Sequence, residues 1–171
     1  DDFKKFIADT NLDLTEDEVI QIYDNVRLVG AESDFATLHK VYGWMVNGVQ
    51  FTPQDGLPRM IPLIEFDNWD KNIFRVVNQF TVEYTNNGQK ENRRPDVLLF
   101  VNGIPLCVIE LKNPADANAT IYDAWKQINI RYWRDIPHLL HYCPLACISD
   151  GVKTRLGTVR TPYEHFYAWR R

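Results

Sequence analysis

Two carboxylates, of Asp96 and Glu110, and the ammonium group of Lys112 lie within residues 94–112, a stretch that is otherwise mostly apolar and has the pattern of two β-strands. Taking an ionised carboxylate or ammonium out of water costs on the order of several kcal/mol, so such groups require compensation. A divalent cation and a phosphate would provide it. Two carboxylates and one ammonium in this setting therefore predict metal-dependent phosphodiester chemistry.

The register of this hairpin decides whether Asp96 can reach Glu110. Side chains alternate along a strand, so Glu110 and Lys112 share a face. If Asn102-Gly103 formed a two-residue turn, Asp96 would point to the opposite face. Pro105 has no N–H and is expected at a bulge or loop margin. We therefore predict that the two-residue turn is absent and that Asp96 opposes Glu110.

The elements around the hairpin are predicted from apolar spacing and turn residues. Residues 15–18 match a helix capping box, and Ser33 precedes a second helical pattern that ends at Asn47-Gly48. The remaining predictions are strands over 60–66, 73–84 (interrupted at Asn78-Gln79), 145–149 and 155–159, and a helix carrying Ile121, Ala124, Trp125, Ile128 and Tyr132. This order predicts an α/β (α+β) fold with a central mixed β-sheet flanked by helices.

Length and composition indicate a globular protein. The chain has 171 residues, 45% of them hydrophobic, and its three cysteines are odd in number, which argues against a disulfide framework. No apolar run is long enough for a membrane span, and the charged start lacks the apolar core of a signal peptide. The sequence therefore predicts an intracellular, cytoplasmic protein with no membrane partner.

Charge is distributed unevenly. Residues 1–89 hold 7 basic and 15 acidic residues, whereas residues 90–171 hold 12 basic and 8 acidic residues. The basic half contains the hairpin, which fits phosphate being bound there. The candidate contacts to a nucleic-acid backbone are Lys90, Arg93, Arg94, Lys126, Arg131 and Arg134.

The hairpin resembles the PD-(D/E)xK nuclease motif, with Pro95-Asp96 as its first half and Glu110-Leu111-Lys112 as its second. More closely, the runs RPDVLLFVNGIPL and VIELKNP resemble the N-terminal nuclease domain of type I restriction enzyme motor (R) subunits. The likeness extends from about Ile73 to residues 166–169 and covers more than half of the chain. It implies a restriction-endonuclease-like core.

The resemblance also implies a chemistry. Members of the family are Mg2+-dependent endonucleases that cut double-stranded DNA, with Mn2+ as a substitute. By analogy, Asp96, Glu110 and the carbonyl of Leu111 ligate the metal, and Lys112 stabilises developing charge or orients the nucleophile. Modification and specificity subunits are the implied partners. ATP is used by translocase domains outside this chain, which has no G-x-x-x-x-G-K-[ST] loop.

Members of the family carry a Gln-x-x-x-Tyr helix, from which this sequence departs. Gln127 is followed by Arg131 at four residues and by Tyr132 at five. In an α-helix, four residues separate side chains by about 40° and five by about 140°. We therefore predict that Gln127 belongs to the catalytic site with Arg131 beside it, and that Tyr132 packs elsewhere.

The predicted organisation is a single endonuclease domain over residues 1–171. It comprises a helical part (1–60), the PD-(D/E)xK core (61–160) and a C-terminal helix (161–171) leading to translocase domains. Two alternatives are a RecB-like repair or antiphage nuclease, and a noncatalytic docking module whose acidic N-terminal half binds partner subunits. The Asp96, Glu110 and Lys112 set argues against docking, which has no use for desolvated charges.

Overall fold

The computed structural model describes residues 1–29, 33–54, 56–115 and 120–169. The chain forms two compact units, one of residues 1–75 and 101–104, the other of residues 76–100 and 105–171. The single domain expected from the sequence stays a prediction.

The first unit is mainly helical. Its helices are α1 (Asp2–Thr10), α2 (Glu16–Arg27) and α3 (Asp34–Asn47), and its short antiparallel strands are β1 (Val49–Phe51) and β2 (Arg59–Ile61). Thr15 and Glu18 form the predicted capping box at the start of α2, and the Ser33 side chain caps α3. Both predicted helices are confirmed. Strand β2 stops before Pro62, which cannot donate to a ladder, and is shorter than predicted.

The central element is a six-stranded mixed sheet, most of which belongs to the second unit. The strands are β3 (Phe74–Asn78), β6 (Val97–Val101), β7 (Ile104–Leu111), β8 (Leu145–Ser149), β9 (Thr154–Thr158) and β10 (Tyr167–Ala168). Their order across the sheet is β10-β9-β8-β7-β6-β3. Strands β7 and β8 are parallel, while β8 and β9 are antiparallel. The predicted fold class is confirmed.

The helices of the second unit follow β7 and precede β8. They are α4 (Ile121–Lys126), a π-helix (Gln127–Tyr132), α5 (Trp133–Asp135) and α6 (Pro137–Leu140). The first three are continuous and form one helical rod. Thr120 and Asp123 make a capping box at the start of this rod, so the chain enters it at a fixed point.

Residues 73–84 form two strands rather than one. Strand β3 joins the central sheet, whereas β4 (Val82–Asn86) pairs with β5 (Gln89–Arg93) in a separate two-stranded ribbon. The break falls at Gln79, whose φ is 52°, a left-handed conformation that ends an extended strand. The Asn78-Gln79 pair, which interrupts the alternating pattern, therefore marks a real boundary.

The turn between β6 and β7 corrects the sequence prediction. Strand β6 ends at Val101 and β7 begins at Ile104, so Asn102-Gly103 is the two-residue turn that we expected to be absent. Both turn residues have positive φ, 51° and 78°, as a type I′ turn requires. The buried Asn102 side chain also accepts a hydrogen bond from the amide of Ile73. Pro105 is tolerated because the pairing of β7 with β8 begins only after it.

The predicted C-terminal helix over 161–171 is wrong for the described residues. Tyr163–His165 form one 3-10 turn, and β10 then pairs with β9. The buried Phe166 ring packs on Gly157, where an added Cβ would lie 2.7 Å from the ring. Burial of that ring and added strand pairing outweigh the little helix that so short a segment could form. Among the described residues, no helix has the length and apolar character to cross a bilayer.

Candidate active site

Asp96 reaches the end of β7 because it lies just before β6 and outside the strand. Successive amides of a strand point to opposite sides. The amide of Lys112 donates to the Ser149 carbonyl on β8, so the amide of Leu111 points the other way, past the start of β6. Asp96 Oδ2 accepts this hydrogen bond at 2.8 Å. The structure therefore brings Asp96 to the other candidates despite the two-residue turn.

Glu110 is the most enclosed carboxyl group of the site, with 2% of its surface exposed, whereas Asp96 is half-buried. Its carboxylate accepts hydrogen bonds from Gln127 Nε2 and, at 3.1 Å, from the Tyr132 hydroxyl. Burial raises the pKa of Glu110 to about 8, and the nearby charge of Asp96 adds to this shift. Lys112 and Tyr132 oppose it only in part. The carboxyl group is thus held in a setting that lacks sufficient positive charge.

Besides the Leu111 amide, Gln79 holds Asp96 in place with two hydrogen bonds. Asp96 Oδ1 accepts from Gln79 Nε2 at 2.9 Å, and its backbone carbonyl accepts from the amide of Gln79 at the same distance. Sequence reasoning did not place Gln79 in the site. The Asn78-Gln79 pair, which interrupts the alternating strand pattern, was the sequence signal that could have revealed this role. Polar side chains beside a buried strand need hydrogen-bond partners, and Asp96 provides one for Gln79.

Lys112 lies on the same face as Glu110, as the alternation predicts. Its Nζ is 3.6 Å from Glu110 Oε1 and donates to Gln127 Oε1 at 2.7 Å. The side chain is 16% exposed, so the ammonium group is screened by protein yet open on one side. Gln127 therefore bridges the acid and the base: its Oε1 accepts from Lys112 and its Nε2 donates to Glu110.

Tyr132 corrects a second prediction, since it does not pack elsewhere. Residues Gln127–Tyr132 form a π-helix, in which i→i+5 hydrogen bonds replace i→i+4 bonds and residues five apart come close together. The Tyr132 hydroxyl accepts from Gln127 Nε2 at 2.7 Å while it donates to Glu110. The wider turn thus places the tyrosine on the face predicted for Arg131. Burial, and secondarily the charge of Glu110, raise the pKa of Tyr132, so it stays a proton donor.

The donor set fits a hard divalent cation. Asp96 and Glu110 offer carboxylate oxygens, and the raised pKa of Glu110 shows that a nearby positive charge would be favourable. Among the described residues, no group of three or more His, Cys, Asp or Glu side chains is placed to hold a metal. A cation here would need uncharged oxygens as well, which suits Mg2+ because it keeps several waters when bound to protein.

Comparisons with known proteins show the family to which the chain belongs. The family model described as "Type I restriction enzyme R protein N terminus" matches residues 3–165. The chain belongs to this family. It is 36% identical over 172 residues, 98% of its length, to a protein of Methanocaldococcus jannaschii named as the MjaIXP type I restriction enzyme endonuclease subunit. It is 37% identical over 111 residues, 65% of its length, to the HindI endonuclease subunit of Haemophilus influenzae. The chain spans 16% and 10% of these relatives.

In this R-subunit N-terminal domain, a cleft lies beside Lys112. Half of the six basic residues predicted to contact a nucleic-acid backbone line it. Its volume is about 440 Å3, and its lining consists of Lys112, Asp123, Lys126, Gln127, Ile130, Arg131 and Arg134. The other candidates lie outside this lining. Lys90 is on β5 opposite Thr85, Arg93 is ion-paired with Asp135, and Arg94 is exposed.

The raised pKa of Glu110 predicts how the stability of the metal-free domain depends on pH. Below pH 4.5 the carboxyl group is protonated in both the folded and the unfolded chain, so it contributes nothing. Between pH 4.5 and about 8 the unfolded chain releases this proton while the folded chain keeps it, so stability falls as pH rises. Glu110→Gln should remove this loss, which is on the order of a few kcal/mol at pH 8.

The measurement is the melting temperature of wild type and Glu110→Gln in EDTA from pH 5 to 8. The variant should melt near the wild type at pH 5 and clearly above it at pH 8. Glu83→Gln, at an exposed position on β4, is the matched control and should follow the wild type throughout. Parallel profiles for wild type and Glu110→Gln would contradict the burial of a protonated Glu110.

Proposed function

We propose that this chain is the Mg2+-dependent, PD-(D/E)xK-type endonuclease domain of a type I restriction enzyme R subunit and hydrolyses phosphodiester bonds of foreign double-stranded DNA. The observation that carries the proposal is the buried Glu110 carboxyl group held beside Asp96 and Lys112. Family membership supports it, since the matched relatives are named endonuclease subunits.

The proposed role of each site residue follows from its charge and its hydrogen bonds. Asp96, Glu110 and the Leu111 carbonyl are the oxygens that would hold Mg2+. Bound there, the ion would supply Lewis-acid activation of the scissile phosphate and of water. The Lys112 ammonium stabilises negative charge as it develops on the phosphate, because it is screened from bulk water. Gln127 and Tyr132 orient Glu110 through their hydrogen bonds.

Double-stranded DNA is the proposed substrate, and the cleft is its proposed contact. Lys126, Arg131 and Arg134 line the cleft next to Lys112, so a phosphodiester backbone held by them would pass the reactive groups. Contacts of this kind position DNA without reading its sequence. Target recognition is accordingly assigned to the specificity subunit, and ATP-driven translocation to R-subunit domains beyond this chain.

The test is plasmid cleavage by the complex of R, modification and specificity subunits with Mg2+ and ATP, comparing wild type with Glu110→Gln. The variant keeps the size of the side chain but removes the charge that would hold the metal, so double-strand cleavage should fall about 100-fold. DNA-dependent ATP hydrolysis should stay at the wild-type rate, which shows that the complex has assembled. Wild-type cleavage by the variant would overturn the proposal and favour the docking alternative.

A further inference from the structure

Asp135 is a buried carboxylate that the proposed reaction does not use. It is 8% exposed and lies in α5, at the end of the helical rod that begins with α4. Its Oδ2 is 2.7 Å from both Nε and a terminal nitrogen of Arg93, and its Oδ1 accepts from Arg134 Nε at 2.6 Å. Hydrogen bonds from Arg134 and Arg93 lower the pKa of Asp135 despite its burial. The carboxylate is therefore charged and held by two cations.

Arg93 is connected to Asp96 by a short and stiff span. It is the last residue of β5, and Arg94 and the buried Pro95 separate it from Asp96. The proline ring fixes its own φ and restricts Arg94 to extended conformations. The position of Arg93 therefore largely determines where the chain delivers the Asp96 carboxylate.

The rod that carries Asp135 also carries the residues that hold Glu110. Gln127 and Tyr132 contact the Glu110 carboxylate, and three residues later Asp135 holds Arg93. The Tyr132 hydroxyl also lies 3.4 Å from the Arg94 carbonyl. The helical rod therefore contacts both chain segments that provide the carboxylates, the one that leads to Asp96 and the one that carries Glu110.

We infer that Arg93 and Asp135 are positioning residues that set the separation of the Asp96 and Glu110 carboxylates, and thereby the affinity of the site for a divalent cation. This inference rests on the proposed function. It assigns Arg93 a role other than contact with DNA phosphate. The donors of its guanidinium are already directed at Asp135 and at the Asn92 carbonyl, and the group lies 4.8 Å from the Tyr84 ring centre.

The experiment measures Mn2+ binding to this chain by calorimetry, with Mn2+ alone as the probe. Removing a residue that orients metal ligands costs about 10- to 100-fold in metal affinity, so Arg93→Gln and Asp135→Asn should each weaken Mn2+ binding by that factor. Both substitutions break the same Arg93–Asp135 contact. The double variant should therefore bind Mn2+ no more weakly than the weaker-binding single variant. For Arg93→Gln, affinity for a DNA duplex in EDTA should stay within about twofold of wild type.

A matched control is Arg75→Gln, which removes an exposed Arg–Asp pair in the first unit, where Arg75 Nε is 2.8 Å from Asp2. It should leave Mn2+ affinity unchanged. Melting temperatures in EDTA show which variants are folded. Should Arg93→Gln unfold, Arg93→Lys tests the same point, because it keeps the charge but loses the two-pronged contact and should weaken Mn2+ binding several-fold.

Two results would overturn the inference while leaving the proposed function intact. One is Mn2+ affinity equal to wild type in folded Arg93→Gln and Asp135→Asn. The other is weaker DNA binding by Arg93→Gln alone, which would make the arginine a phosphate contact, a role that the anionic Asp135 cannot share. Failure of the wild type to bind Mn2+ at all would overturn both the inference and the proposed function.

Discussion

Asp96→Asn is expected to lower the rate of Mg2+-dependent double-strand cleavage by roughly three orders of magnitude. The asparagine keeps the size of the side chain and an acceptor for the Leu111 amide. It removes one of two carboxylates available to a cation, and a catalytic metal contributes several kcal/mol of charge stabilisation, where about 1.4 kcal/mol corresponds to a factor of ten. The measurement is single-turnover cleavage by the assembled complex.

The control for this variant is Asp9→Asn, which removes an exposed carboxylate paired with Lys5 on α1. It should cut DNA at the wild-type rate, and both complexes should hydrolyse ATP equally. Retention of most cleavage activity by Asp96→Asn would mean that a different carboxylate serves the metal. The assignment of Asp96 as a ligand would then be wrong.

Lys112→Met is expected to reduce the rate of cleavage by about 10²- to 10³-fold while leaving Mn2+ affinity at or above the wild-type value. Methionine keeps an unbranched apolar stem but removes the ammonium that lies 3.6 Å from Glu110. Charge stabilisation in the transition state is lost, whereas repulsion between the lysine and a bound cation also disappears. Rate and metal affinity should therefore change independently.

Independent changes in cleavage rate and Mn2+ affinity would distinguish Lys112 from Asp96 and Glu110, because replacing either carboxylate should lower both the rate and the affinity. The measurements are single-turnover cleavage at saturating metal and calorimetric Mn2+ binding. Lys5→Met, at an exposed position on α1, serves as the matched control and should alter neither. If Lys112→Met instead lost metal affinity and regained its full rate at high metal concentration, the lysine would be a structural partner of Glu110.

Patterns within single elements could be predicted from the sequence. The Thr15 and Glu18 capping box is local, and both of its hydrogen bonds are present. Alternation along one strand placed Glu110 and Lys112 on one face, and the structure agrees. Each of these inferences needs only the geometry of one helix or strand, so tertiary context could not overturn them.

The approach of Asp96 could not be derived correctly from strand alternation, because that rule applies only inside a strand. Asp96 precedes β6, so its side chain can turn toward the Leu111 amide, from which it accepts a hydrogen bond. If Asp96 lay within the strand, only a bulge or a longer loop could bring the two carboxylates to the same face. The protein instead keeps the favoured Asn102-Gly103 turn, and β6 begins at Val97, one residue after Asp96.

The role of Tyr132 was hidden for a similar reason. Angles drawn from an α-helix separate it from Gln127, but the segment between them is a π-helix. A family pattern of Gln-x-x-x-Tyr lengthened by one residue is the signal that could have revealed this, since one extra residue in a helix is absorbed by a π turn. The hydrogen bond from Gln127 to Tyr132 is the result.

The most direct measurement is X-ray diffraction from crystals of this chain soaked in Mn2+, with data collected at the manganese absorption edge. An anomalous peak between the carboxylates of Asp96 and Glu110, absent from crystals of Asp96→Asn, is the predicted result. Well-diffracting crystals in which manganese occupies other positions and leaves this one empty would contradict a shared cation at the end of β7.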